Sequence, residues 1–110
     1  MSTEKILIVE DDGIAAMGLE TTITILGYKS VGIAFSAEEA VEKALKERPD
    51  LILMDIKLKG ERDGISAAVE IHESCDVPVV YMTAFSDIGT LERAKVSAPF
   101  GYLVKPYRDE

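Results

Sequence analysis

The chain has 110 residues, a length that suits one domain with one hydrophobic core. Its formal net charge of -8 at pH 7 argues against a nucleic-acid-binding surface, which needs a face rich in lysine and arginine. The single cysteine, Cys75, excludes a disulfide or a cysteine metal cluster within one chain. No apolar run approaches the length of a membrane span and the first residues do not look like a signal peptide, so we expect a cytoplasmic protein.

Short apolar runs bounded by polar or helix-breaking residues predict five buried strands. Runs of this kind are typical of strands that are covered on both faces in a parallel sheet. The predicted strands are residues 5–9, 30–35, 51–55, 77–82 and 100–104. Pro78 is tolerated because it lies at the start of its strand.

Helical patterns separate these strands. The first helix, residues 14–26, is predicted to end at Gly27 and to bury an apolar stripe made of Ala15, Leu19, Ile23 and Leu26. Ser36 and Glu39 predict a capping box for the second helix, which Pro49 ends. Its apolar positions are Ala37, Ala40, Val41, Ala44 and Leu45.

Two further helices are predicted over residues 64–73 and 87–97. The first has Ile65, Ala68, Val69 and His72 on one side, and the second has a thin apolar face made of Ile88, Leu91 and Ala94. The resulting order βαβαβαβαβ predicts an α/β fold with a doubly wound parallel sheet over residues 1–110. A helix after the fifth strand is missing from the sequence, so we expect a truncated chain or part of a longer protein.

Polar side chains follow these strands at the points where the strands end. They are Glu10, Asp11 and Asp12 after the first strand, Asp55 at the end of the third, Thr83 after the fourth and Lys105 after the fifth. Because parallel strands end at the same edge of a sheet, where open α/β sheets bind ligands, we expect these groups to lie together.

Several carboxylates in a small space repel one another unless a cation neutralises them. Hard oxygen ligands suit Mg²⁺, with Mn²⁺ as an alternative. A carboxylate nucleophile, a divalent ion, a lysine and a hydroxyl are the groups needed to accept a phosphoryl group. Each group also has a simpler interpretation: Asp12 as a helix cap, Thr83 as a turn residue, Lys105 as a solvated side chain.

Four segments carry a resemblance to a known family. They are residues 6–12 (Ile-Leu-Ile-Val-Glu-Asp-Asp), 51–55 (Leu-Ile-Leu-Met-Asp), 80–84 (Val-Tyr-Met-Thr-Ala) and 101–106 (Gly-Tyr-Leu-Val-Lys-Pro). In this order and spacing they resemble the receiver domain of two-component response regulators, over nearly the whole chain. The resemblance implies a flavodoxin-like sheet with strand order 2-1-3-4-5.

The resemblance implies roles for the acidic residues. Asp55 matches the phosphoacceptor that takes a phosphoryl group from a phosphohistidine. Asp11 matches a direct metal ligand, Glu10 a ligand through water, and Asp12 an additional acid that is a further candidate. The backbone carbonyl of Lys57 matches the third protein ligand of the metal.

It also implies a switch. Thr83 matches the hydroxyl that moves towards the phosphoryl group, and Ala84 the small residue that leaves it room. Lys105 matches the lysine that pairs with the aspartyl phosphate. Tyr102 matches the aromatic residue whose rotamer follows Thr83, although a half-buried edge aromatic is the simpler interpretation.

The chain departs from the family pattern after Asp55. Lys59 stands where the family usually has proline, and the loop is one residue longer than the commonest form. Lys57, Lys59 and Arg62 make this loop basic, so it could change metal affinity or partner choice, or be solvated. Lys57 and Phe85 occupy the positions that tune phosphate lifetime in the family.

The leading hypothesis is a signalling receiver, not an enzyme, with a histidine kinase or histidine phosphotransfer domain as phosphodonor. It would act on an output domain or downstream protein, could dimerise on phosphorylation, and would contact neither nucleic acid nor membrane through this segment. One alternative is a Mg²⁺-dependent phosphatase or phosphotransferase using an aspartyl phosphate, although 110 residues leave no room for a cap domain. The other is a receiver that is not phosphorylated and acts as a binding module.

Overall fold

A computed structural model describes residues 4–58, 60–84 and 101–105, and at residues 83–84 and 101–105 the description covers the backbone. The elements are β1 (Lys5–Val9), α1 (Gly13–Ile25), β2 (Lys29–Ala34), α2 (Ala37–Glu47), β3 (Leu51–Asp55), α3 (Gly64–His72), β4 (Val79–Ala84) and β5 (Gly101–Lys105). The helix predicted over residues 87–97 lies outside the described residues, as do Lys59, Phe85 and everything after β5. Within the described ranges, none of the helices is both long enough and apolar enough to cross a bilayer.

All five strands form one parallel sheet with the order β2-β1-β3-β4-β5. This confirms the predicted fold class and strand order. β3 occupies the centre, paired with β1 on one side and β4 on the other. Its side chains from Ile52 to Asp55 are buried, as are those of β1 from Ile6 to Val9, which explains why both strands are apolar.

Alternate residues along the strands enter two separate core layers, as the period of a strand requires. Leu7, Val9, Ile52, Met54 and Tyr81 face the layer that α2 and α3 cover. The opposite layer, beneath α1, contains Ile6, Ile8, Leu53, Met82, Ala16 and Ile23. The two layers hold the sheet from both faces, so the strand ends are fixed on a rigid support.

The buried face of α1 differs from the predicted stripe. Ala16 and Ile23 are buried and Leu19 is half-buried, whereas Ala15 is exposed and Leu26 is 67% exposed. Ile14, Met17 and Ile25 are exposed apolar residues, so the apolar side chains of α1 are not confined to one face. A hydrophobic pattern specifies a face only when the other face is polar, and here it is not.

The end of α1 confirms the predicted role of Gly27, whose φ is 97°. The amide of Tyr28 donates to the carbonyl of Ile23 at 2.9 Å, and the amide of Gly27 donates to the carbonyl of Thr24 at 3.1 Å. These are the two hydrogen bonds of a Schellman motif, in which the residue after the helix takes a left-handed conformation.

The start of α2 confirms Ser36 as the N-cap, since its Oγ accepts from the Glu39 amide at 3.2 Å. Glu39 reaches one residue further back than a capping box requires and accepts from the amide of Phe35 at 2.9 Å. α2 ends at Glu47 with Arg48 in the left-handed conformation, one residue before Pro49.

The later elements start or end one or two residues from their predicted positions. β4 begins at Val79, two residues later than predicted. Val77 and Pro78 precede the regular ladder, although the Pro78 carbonyl already accepts a hydrogen bond from the Ile52 amide at 3.0 Å. In α3, Val69 is exposed, so its predicted place on the apolar side is wrong, and Ala67 and Ile71 are buried instead.

Candidate functional site: an acidic cluster at the carboxyl edge

The pairing of β1 with β3 places two acidic residues next to each other. Val9 pairs with Met54 in the parallel ladder, so the residues that follow, Glu10 and Asp55, lie side by side at the carboxyl edge. Glu10 is held at this point because its amide donates to the carbonyl of Ala34 on β2 at 3.0 Å. The central strands therefore supply a fixed base for the site.

Glu10, Asp11 and Asp55 form a compact cluster, in which one carboxylate oxygen of each lies within 4.8 Å of the others. Glu10 is 2% exposed and Asp55 is 5% exposed, while Asp11 is half-buried. Like charges so close together, and so poorly hydrated, favour a cation among them. Three carboxylates offer the hard oxygen atoms that Mg²⁺ and Mn²⁺ take, so the donor set fits a divalent ion.

Backbone amides orient the two buried carboxylates. The amide of Asp12 donates to Oε2 of Glu10 at 3.2 Å. The amide of Lys57 donates to Oδ1 of Asp55 at 3.2 Å, which folds the chain after β3 back over the Asp55 side chain. The Lys57 side chain is exposed, and its backbone stays beside the cluster, where the family resemblance implies a carbonyl ligand.

Asp12 serves as the N-cap of α1. Its Oδ1 accepts from the amides of Ile14 at 3.0 Å and Ala15 at 3.3 Å. Among the acids that the structure describes, the cluster with oxygens within 4.8 Å does not include Asp12. The capping interpretation accounts for its geometry, and its role as an additional metal ligand stays a prediction.

Thr83, Tyr102 and Lys105 are placed by their backbone. Thr83 lies one residue beyond Met82, the partner of Asp55 in the ladder between β3 and β4. Lys105 pairs with Ala84, and Tyr102 pairs with Tyr81. Thr83 and Lys105 thus lie near the carboxyl ends of adjacent strands, as the sequence predicts; their side chains lie outside the described residues.

The loop between β3 and α3 is anchored at several points. Leu58 is buried in the core layer under α2 and α3. Arg62 turns towards α3, where its Nη2 contacts Oε1 of Glu70 at 2.7 Å and its Nε donates to Oγ of Ser66 at 3.0 Å. Arg62 is therefore held by α3, whereas the backbone of Lys57 lies next to the acidic cluster.

Gly64 is a residue of this site that the sequence interpretation treated only as a helix start. It is buried, and its amide donates to the carbonyl of Ile56 at 2.7 Å. Asp63 caps the same helix by accepting from the Ser66 amide at 3.0 Å. The Asp-Gly pair at positions 63 and 64 is typical of a turn before a helix and gives no sign of the contact between Gly64 and the Ile56 carbonyl.

The fold and the site together define a class of protein. Its members are doubly wound parallel α/β domains with a cluster of acidic residues, suited to bind a cation, at the carboxyl edge of the central strand. The family model for the response regulator receiver domain matches residues 6–110. The chain belongs to this family, that of the receiver domains of two-component regulatory systems, and the predicted resemblance is confirmed.

Known proteins similar to the chain carry different names. It is 43% identical over 103 residues to the transcriptional regulatory protein PdtaR of Mycobacterium tuberculosis, covering 94% of this chain and 50% of that protein. It is 36% identical to a protein-glutamate methylesterase/protein-glutamine glutaminase of Archaeoglobus fulgidus, covering 93% of this chain and 30% of that protein. The chain thus spans half or less of the length of these two relatives.

Among solved structures, the chain is similar to the signal receiver domain of a modulated diguanylate cyclase from Desulfovibrio desulfuricans. The TM-score is 0.89 at 40% identity, with 97% of this chain and 85% of that chain covered. It is also similar to the response regulator domain of Thermotoga maritima CheB, with a TM-score of 0.86 at 28% identity, covering 96% of this chain and 81% of that chain.

Proposed function

We propose that this receiver accepts a phosphoryl group on Asp55 from a phosphohistidine of a histidine kinase or histidine phosphotransfer domain. The observation that carries the proposal is the position of Asp55: a carboxylate 5% exposed, at the end of the central strand, within 4.8 Å of Glu10 and Asp11. Membership of the receiver family supports the same assignment.

In the proposed reaction, one carboxylate oxygen of Asp55 attacks phosphorus and forms a P–O bond. The P–N bond of the phosphohistidine breaks, and its electron pair returns to the imidazole nitrogen of the donor. The product is an acyl phosphate on Asp55. The Lys57 amide, which holds Oδ1 at 3.2 Å, restricts the side chain and favours one orientation for the attack.

The carboxylates of Asp11 and Asp55, the Lys57 carbonyl and Glu10 through water are the groups that would hold a divalent ion. When bound, Mg²⁺ would offset part of the negative charge of the three carboxylates and of the incoming phosphoryl oxygens. Without such a cation, Glu10 and Asp11 would repel a phosphoryl group from the position that Asp55 needs it to occupy.

Lys105 is proposed to pair with the aspartyl phosphate, and Thr83 and Tyr102 to respond to its charge. The new charge then biases a two-state surface on the side of β4 and β5. We expect a cytoplasmic protein that passes the change to an output domain or downstream protein, with phosphorylation-dependent dimerisation as one route. The two relatives bear different names, a transcriptional regulatory protein and a methylesterase, which supports leaving the output of this receiver open.

The test is uptake of a phosphoryl group from acetyl phosphate, or of beryllium fluoride as its mimic, in the presence of Mg²⁺. We expect one equivalent on the intact protein, none on Asp55→Asn, and unchanged uptake on the matched control Asp76→Asn, which alters an exposed acid just before β4. Absence of uptake by the intact protein would refute the proposal. Repeated turnover of a soluble phosphoester would instead identify a phosphatase or phosphotransferase.

A further inference from the structure

Helix α3 begins directly against the backbone of Asp55. A Cβ atom built on Gly64 would overlap the carbonyl oxygen of Asp55 and lie 3.0 Å from its carbonyl carbon. The same atom would lie 2.8 Å from Cγ of Met54. Because carbon atoms in contact prefer separations of about 3.5–4.0 Å, no residue with a side chain fits here unless the helix or the strand moves.

The atoms that a side chain would meet cannot all move aside. Met54 could adjust its flexible side chain, but the Asp55 carbonyl belongs to the backbone of the central strand. Asp55 pairs with Met82 in the ladder, and the Ile56 amide donates to the Met82 carbonyl at 3.2 Å. A displacement of this carbonyl therefore tilts the peptide that joins Asp55 to Ile56.

That peptide leads directly to the groups that hold the Asp55 carboxylate. The Lys57 amide, which donates to Oδ1 of Asp55, follows Ile56 in the chain. The Ile56 carbonyl also receives the Gly64 amide at 2.7 Å. The backbone of residues 55–57 thus contacts the Asp55 carboxylate through the Lys57 amide, and it contacts the start of α3 through the Ile56 carbonyl.

We propose that Gly64 is a positioning residue for phosphoryl transfer, which sets the Asp55 carboxylate by letting α3 close on the Asp55 backbone. This inference rests on the proposed function and adds a determinant outside the acidic cluster. Because position 64 has no side chain, the start of α3 can pack against the backbone of residues 55–57. This packing holds that backbone in place, and the backbone in turn sets the angle at which the Asp55 carboxylate meets its substrate. Gly64 acts through Asp55 and Lys57.

The chain contains a matched control for this idea. Gly18 lies within α1, and a Cβ there would meet no heavy atom within 4 Å. Gly18→Ala therefore adds the same methyl group to a helix without a collision. Ile65→Ala provides the second control, since Ile65 is the next residue of α3 and is buried in the core layer under α2 and α3.

The experiment compares Gly64→Ala, Gly18→Ala and Ile65→Ala with the intact protein. Phosphorylation by acetyl phosphate is measured at saturating Mg²⁺, with the folded fraction determined by circular dichroism in the same buffer. We expect the rate per folded molecule to fall about 10- to 100-fold for Gly64→Ala. We expect it to stay within about two-fold for both controls, because Gly18→Ala adds its methyl group in open space and Ile65→Ala adds no atom beside the Asp55 carbonyl.

A rate for Gly64→Ala within about two-fold of the intact protein would overturn the proposal. So would an equal loss in Ile65→Ala, because a general weakening of α3 would then explain the effect. The double variant Met54→Ala/Gly64→Ala separates the two collisions: it should stay slow, and recovery of the rate would assign the effect to Met54 packing and overturn the role of the Asp55 backbone.

Two spectroscopic measurements are independent of turnover. Gly64→Ala should shift the Lys57 amide resonance in a ¹H–¹⁵N spectrum while Gly18→Ala should not, and an unshifted resonance would contradict the inference even if the protein proved not to accept phosphate. In the intact protein, Mg²⁺ and beryllium fluoride should slow hydrogen exchange at the Gly64 amide. Unchanged exchange in a protein that binds the mimic would refute the coupling while leaving the proposed function intact.

Discussion

The Asp12 amide donates to Oε2 of Glu10 at 3.2 Å, and this hydrogen bond joins the acidic cluster to the start of α1. The same residue caps the helix, because its Oδ1 accepts from the Ile14 amide at 3.0 Å. One residue thus uses its backbone to orient a proposed metal-binding acid and its side chain to start a helix. Backbone donation survives any substitution except proline, so the two roles can be separated.

Replacement of Asp12 tests its capping role against a role in metal binding. Asp12→Ala should lower the free energy of unfolding by about 0.5–2 kcal/mol, whereas Asp12→Asn, a good N-cap, should change it by only a few tenths. Both should keep the Mg²⁺ affinity of the intact protein, since the Glu10 contact uses the Asp12 amide. Urea denaturation and Mg²⁺ titration provide the measurements. Weak Mg²⁺ binding by Asp12→Asn would instead make Asp12 a ligand.

Mg²⁺ should stabilise the fold through the three-carboxylate cluster. At about 100 times its dissociation constant, a ligand that binds only the folded state adds about 2.7 kcal/mol to the free energy of unfolding. Asp11→Asn should remove most of this increment. In the presence of a chelator, the free energy of unfolding of Asp11→Asn should exceed that of the intact protein by on the order of 1 kcal/mol, because the substitution relieves repulsion among the acids.

Thermal denaturation with Mg²⁺ and with chelator measures both effects of Asp11→Asn. Glu61→Gln is a suitable control, since Glu61 is an exposed acid of the β3–α3 loop outside the cluster. Equal stabilisation of Asp11→Asn and the intact protein by Mg²⁺ would exclude Asp11 as a ligand.

Two substitutions in α1 distinguish its observed buried face from the predicted one. Ile23→Ala should lower the free energy of unfolding by about 2–5 kcal/mol, since Ile23 is 6% exposed and packs beneath the helix. Leu26→Ala should cost less than about 1 kcal/mol, because Leu26 is 67% exposed. Chemical denaturation measures both, and a larger loss for Leu26→Ala would reverse the assignment of the face.

Arg62→Ala should have a small effect on stability and none on phosphorylation. The contact of Arg62 with Glu70 is partly exposed, with side chains 30% and 47% accessible, so the pair contributes about 0.2–1 kcal/mol. Its guanidinium is held along α3. The rate of phosphorylation by acetyl phosphate should therefore match that of the intact protein. A changed rate would show that the charge of Arg62 acts on the acidic cluster.

The parallel sheet and the acidic cluster could be predicted because both depend on local sequence. Uninterrupted apolar runs bounded by polar or helix-breaking residues are typical of strands that are covered on both faces, and β1 and β3 match their predicted bounds residue for residue. The strand order that the family resemblance implies, with β1 beside β3, then brings Glu10 next to Asp55.

The buried face of α1 and the importance of Gly64 could not be predicted in the same way. An apolar helix leaves its orientation to the shape of the sheet beneath it, which Ala16 and Ile23 fit and Ala15 does not. At Gly64, the determining fact is the distance between a helix start and the carbonyl of a strand residue. Neither is a property of a residue and its neighbours in sequence.

The contact between β1 and β3 has a consequence for the order of folding. The Lys5 amide donates to Oδ2 of Asp50 at 2.7 Å, a contact between residues 45 positions apart. Pairing β1 with β3 closes a loop that contains α1, β2 and α2. Closing so long a loop lowers the conformational entropy of the chain, and this cost is offset only when the hydrophobic core is complete. A nascent chain that has emerged only as far as α2 therefore carries Glu10 and Asp11 without their third acid, so the proposed cation site is complete only when the central strand joins the sheet during synthesis.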